Sequence, residues 1–238
     1  MTLIAAQTAQ SWILALWLLY FSVVWLETLI LRKRIQKLWP NKFFYASLFL
    51  SFLGAVSIAM SPNFWNLLLL LLIFLYWSQI WRGTFNGGSD MMGTTVLLGL
   101  TLSYWPPFLY LGLLYIGVQS LLSYFVAGVV KLKEPNWRNG HALQHFLATG
   151  LYQIPTWLQI QNKNFWAVLS LGVIAFEVLS PIFIFHQLSL FVFMAIVLIF
   201  HVMNSLIFGL NRFIFAWASS WPALYLLHKF LSGGMTLP

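Results

Sequence analysis

The chain has no cysteine among its 238 residues. That absence removes disulfides, iron–sulfur clusters, thiolate zinc sites and cysteine nucleophiles together. Charge is scarce as well, at 7% of residues, and only four residues are acidic. A soluble domain carries about 25% charged residues, so this supply is too thin to cover a surface facing water. Proton-coupled transport is disfavoured too, because it usually relies on more intramembrane acids than Asp90 and Glu177. No phosphate-binding glycine loop, hydrolase elbow or long repeat occurs. Residues 1–10 lack a basic leader, so no cleavable signal is expected and the first apolar run reads as a retained span.

What remains is apolar: 61% of the residues are hydrophobic. A helix needs about 20 mostly apolar residues to cross a bilayer. Residues 12–31, 43–60, 64–81, 108–130, 165–185, 188–210 and 213–227 meet that need, and 91–104 is a shorter candidate. The expected fold is therefore all-α, a polytopic membrane bundle of about seven or eight spans in one domain, 1–238. Pro40, Ser61-Pro62-Asn63 and Pro106-Pro107 punctuate it. Tryptophans at 12, 39, 65, 77, 81, 105 and 166 fall near proposed span ends, as an interfacial aromatic belt requires.

The formal charge is +8, and its basic residues lie in the connections. Headgroup contact explains this better than nucleic acid, for which no phosphate-reading motif is present. Arg32, Lys33, Arg34, Lys37 and Lys42 follow the first span, which puts that connection in the cytoplasm. The side occupied by 131–163 depends on whether 91–104 crosses or re-enters. Within that connection, 140–152 has the periodicity of a short amphipathic helix, lying at the interface or folding over the bundle as a lid.

Ionisable groups in hydrocarbon are costly, so each is a functional candidate. Glu27 reads as an interfacial partner of Arg32 or Arg34. Glu177, shortly before Pro181, is either a site carboxylate or the partner of a buried cation. Lys131, at the end of a span, either snorkels to the headgroups or stands in an apolar pocket as a base. His201 and Asn204 share a helix face mid-span and either bond a neighbouring helix or hold a polar ligand. A b-type haem would need a second mid-membrane histidine, and His186 and His228 are badly placed for it. His141 and His145 have a metal-ligand spacing, but without a third ligand no metal site is expected. Asn86-Gly87-Gly88-Ser89-Asp90 reads as a flexible turn, with Asp90 as a helix cap.

Two motifs go further. Phe125-Val126-Ala127-Gly128-Val129-Val130-Lys131-Leu132, followed by Trp137 and Gly140, resembles the vitamin K-dependent γ-carboxylases and the related HTTM membrane domain. Phe200-His201-Val202-Met203-Asn204-Ser205 resembles the same family's Phe-His-x-Met-Asn-Ser segment, and Glu177 before Pro181 fits its glutamate. The order agrees over about 82–221. The resemblance implies a membrane fold that handles quinones of the vitamin K type. Lys131 would be the base, with His201, Asn204, Trp137 and Glu177 at the ligand. If the chain is an enzyme, carboxylase-like or oxygenase-like chemistry with a lysine base is implied.

Two departures stand against full carboxylase activity. The carboxylases carry a large further domain, whereas this sequence stops at Pro238. They also have Asn-His-Ser where this chain has Gly87-Gly88-Ser89. Binding of a quinone or another lipid-soluble ligand is therefore the first expectation, in a bacterial inner or thylakoid-type membrane. A second is an accessory role in maturing or exporting a peptide, because short HTTM proteins resemble the membrane component of sporulation-delaying toxin production. A third is a non-catalytic subunit beside a larger membrane protein.

Overall fold

A computed structural model of the protein describes residues 2–30, 41–80, 87–149 and 163–233. All the regular structure in them is helical, without a strand among the described residues. The basic cluster 32–37, the proposed partners of Glu27, and Asn86, Gly150 and Tyr152 lie outside those residues. Helices α1 (Leu3–Ile30), α2 (Asn41–Met60), α3 (Phe64–Ile80), α4 (Gly87–Ser103) and α5 (Leu109–Lys133) come first. Next are α6 (Pro135–Arg138), α7 (His141–Thr149), α8 (Lys163–Val178), α9 (Gln187–Phe208), α10 (Arg212–Ala218) and α11 (Trp221–Leu231). Short 3₁₀ turns, Pro106–Phe108 and Ser180–Phe185, precede α5 and α9.

Local chemistry explains the breaks. Asn63 caps α3 by accepting the Asn66 backbone N–H at 3.0 Å. Pro107 and Pro181 fall where an α-helix would need a backbone donor that proline lacks, and both segments tighten into 3₁₀ turns. Large apolar side chains such as Ile4, Met60, Val168 and Leu206 are exposed along the helices. In water such a surface would be untenable, whereas lipid accepts it. This is a membrane protein.

Among the described residues, three helical stretches are long and apolar enough to cross by themselves: Leu3–Ile30, Pro106–Lys133 and Gln187–Phe208. Tyr45–Met60, Phe64–Trp77 and Asn164–Val178 are shorter apolar helices. The expected span 165–185 is instead an α-helix to Val178 and then a 3₁₀ segment. The expected span 213–227 is broken in two at Ser219 and Ser220, because Pro222 starts a new helix.

The helices cluster in two compact units. One comprises 1–117 and 215–238, and the other 118–214. In the first, α1 packs against α2, α4 and α11, and α3 packs against α2 and α4. Trp17, Tyr20, Phe21, Phe74 and Trp77 fill its core. Gln10 Nε2 donates to Ser103 Oγ at 2.9 Å, Trp17 Nε1 to the Gly93 carbonyl at 2.8 Å, and the Tyr20 hydroxyl to Asp90 Oδ1 at 2.7 Å. These contacts step up α1 as they step down α4, so the two helices run antiparallel, joined by buried polar groups where water cannot compete.

Asp90 corrects the sequence reading. Residues 87–90 form the first turn of α4, and the Asp90 carboxylate is fully buried against Tyr20. A carboxylate there also complements the positive end of the helix dipole.

In the second unit, the later part of α5 packs with α8, and α6, α7 and α8 contact one another. Tyr124, Phe176, Phe183 and Phe193 make an aromatic cluster with ring centroids 5.2–6.3 Å apart. The Ser180 hydroxyl donates to the Leu121 carbonyl at 3.3 Å, fastening the 3₁₀ segment to α5.

Candidate functional site

The second unit's site begins on α5, where Tyr124, Gly128 and Lys131 share one helical stripe. Gly128 has no side chain because α8 occupies the space. A Cβ there would lie 2.7 Å from the Val178 nitrogen and 2.8 Å from the Glu177 Cβ. This close approach brings Glu177 to Lys131, one turn further along α5. The Lys131 Nζ donates to both Glu177 carboxylate oxygens, each at 2.7 Å. The Glu177 side chain is 4% exposed and that of Lys131 is 18% exposed. Either charge alone would be costly in this setting, and the pair is neutral as a unit.

Trp137 completes this end. Its ring centroid is 5.3 Å from the Lys131 Nζ, within range of a cation–π contact. Pro135 starts the short α6 that carries it. The Ser170 hydroxyl of α8 donates to the Trp137 carbonyl. Gly140 then turns the chain with φ of 79°, and a Cβ there would fall 2.3 Å from the Trp166 carbonyl carbon. Only glycine suits both the backbone angle and the lack of space.

Lys131 and Trp137 lie at the wall of a cavity of about 480 Å³. Leu143 and Phe146 of α7 and Val173 of α8 form further wall, and α9 contributes Phe200, Asn204 and Phe208. Leu210 and Phe213 close the lining. The volume lies within the range of small-molecule sites, roughly 300–1,000 Å³, which are also mostly apolar with a few placed polar groups. Helix α7 turns apolar residues to the cavity while His141 and His145 are exposed. Two other apolar grooves, on the first unit, have no charged side chain among the described residues of their linings.

The five site residues expected from sequence divide into two groups. Lys131, Trp137 and Asn204 line the cavity, whereas Glu177 and His201 stand behind its wall. Glu177 holds the Lys131 ammonium. His201 is buried, and its Nε2 shares a 2.7 Å hydrogen bond with the Tyr124 hydroxyl. Its ring centroid is 5.6 Å from that of Phe213, so it backs a wall residue. The Asn204 side-chain amide has no hydrogen bond to another residue among those described.

A family model described as the HTTM domain matches residues 101–227. The chain belongs to the HTTM domain family. The matched HTTM segment contains Lys131, Trp137, Glu177, His201 and Asn204 and every described residue that lines the cavity. No curated protein and no solved structure matches the chain.

Sequence reasoning passed over Tyr124, Phe146 and Phe213, and named Gly128 only as part of a motif, without a role of its own. Tyr124 and the role of Gly128 were detectable in principle, since both residues precede Lys131 on its own helical stripe, by seven and three residues. Phe146 and Phe213 carried no such signal, because phenylalanine is common throughout this HTTM chain and only packing selects the lining ones.

Proposed function

We propose that this HTTM protein binds a quinone or another lipid-soluble ligand in the cavity beside Lys131. The observation that carries this reading is the cavity's composition, an apolar chamber whose wall holds an ammonium and an Asn204 amide that bonds no other described residue. An ammonium has three N–H donors. Two go to Glu177, which leaves one for an oxygen of the ligand. The aromatic and aliphatic walls bury the ligand's body, and Asn204 offers a second directional contact. The carboxylase resemblance points to quinones of the vitamin K type, and the membrane proposed is a bacterial inner or thylakoid-type one. Binding is the role proposed for Lys131, Trp137 and Asn204. Glu177 and His201 act through neighbours as positioning residues.

Organic extraction and mass spectrometry of the purified protein test the proposal. Wild-type protein is expected to carry a near-stoichiometric quinone that a Lys131→Ala variant loses. Asn204→Leu, which leaves the ion pair intact, is expected to reduce the occupancy. Bulk phospholipid alone in all three samples would overturn the reading. A small peptide or a larger membrane protein recovered in its place would favour an accessory or subunit role.

A further inference from the structure

We infer that Glu177 determines specificity, barring anionic amphiphiles from the Lys131 cavity and restricting it to uncharged ligands with a hydrogen-bond-accepting oxygen. The inference rests on the cavity being a ligand site, as proposed above. It addresses a problem that any such site faces in a membrane. An unpaired lysine in an apolar chamber is an attractive counterion for fatty-acid carboxylates and phospholipid phosphates. This chamber is within reach of them, since Phe146 in its wall is 52% exposed.

The geometry removes that attraction. Glu177 is 3% exposed as a residue, and both its carboxylate oxygens lie 2.7 Å from the Lys131 Nζ. Among the described residues Lys131 is the only charged side chain in the cavity lining, and its charge is already balanced. An entering anion would give the site a net negative charge in a low-dielectric setting, close to an existing carboxylate. The Trp137 ring adds to the bias, because the face of an indole is electron-rich and favours cations. A ketone or quinone oxygen needs only the one remaining N–H and brings no net charge. Specificity of this kind comes from a repulsive element as much as from an attractive one.

The test uses two ligands that differ only at the head, a long-chain methyl ketone and the fatty acid of matching length. The acid carries O⁻ where the ketone carries CH₃, so the two are nearly isosteric. Equilibrium dialysis is run in uncharged detergent at alkaline pH, where the acid is ionised, with a naphthoquinone as a third ligand. Wild-type protein is expected to bind the ketone more tightly than the acid by about tenfold or more, a difference of about 1.4 kcal/mol. Glu177→Gln is expected to reverse the order, because Lys131 then lacks its counterion. The Lys131→Gln/Glu177→Gln double variant restores neutrality and is expected to keep excluding the acid, which separates charge from space.

Equal or tighter binding of the acid by wild-type protein overturns the inference, whether or not Glu177→Gln can be recovered folded. A folded Glu177→Gln protein that gains no acid binding overturns it too. Failure of wild-type protein to retain either the ketone or the naphthoquinone instead removes the cavity reading on which it rests.

Discussion

The Lys131 ammonium lies 2.7 Å from both carboxylate oxygens of Glu177, with the Trp137 ring centroid 5.3 Å from the same nitrogen. This arrangement joins α5, α6 and α8 at one end of the cavity. Its stability therefore depends on keeping both partners, which leads to the first prediction.

Lys131→Met and Glu177→Leu are each expected to destabilise the protein by about 3–5 kcal/mol, since each strands a buried charge. The combined variant is expected to recover most of that loss, because two apolar side chains leave no charge uncompensated. Thermal unfolding of all four proteins in one detergent measures the coupling. Additive losses would show that the pair is not a unit.

Gly128→Val is expected to separate α5 from α8, since the obstructing atoms at 2.7 and 2.8 Å include backbone that cannot rotate away. Overpacking of this kind costs about 1–3 kcal/mol. Ligand retention is expected to fall further than stability alone explains, because Glu177 would be pulled from Lys131. Extraction and mass spectrometry at a temperature where the variant remains folded separate the two effects.

Tyr124→Phe removes the hydroxyl that shares a 2.7 Å hydrogen bond with the buried His201 imidazole. The expected cost is about 1–3 kcal/mol. Adding His201→Leu removes the other partner, and the double variant is expected to be more stable than Tyr124→Phe alone. A double-variant cycle by thermal unfolding measures this, and no recovery would mean that the contact contributes little.

Asn204→Leu is expected to change stability by no more than about 0.5 kcal/mol, as its side-chain amide bonds no described residue. Ligand occupancy is nevertheless expected to drop. A variant that loses stability and keeps its ligand would place Asn204 in the packing instead.

Much about this protein follows from sequence alone, for a physical reason. Whether a segment prefers lipid is close to a sum over its own residues, so apolar runs and scarce charge determine a helical membrane protein without reference to contacts. The motifs around Lys131 and His201 likewise lie in short, ordered stretches, and the HTTM family follows from them. Pairing is another matter, because it depends on how helices rotate and how closely they approach. Hydropathy cannot say that Glu177 faces Lys131 across the gap left by Gly128, or that His201 turns to Tyr124 while Asn204 faces the cavity. It also misses the helix break at Ser219 and Ser220, where apolar residues continue on both sides and backbone chemistry sets the boundary. The burial of Asp90 against Tyr20 belongs with these, since a Gly-Gly-Ser-Asp run looks like a turn until a neighbouring helix supplies the donor.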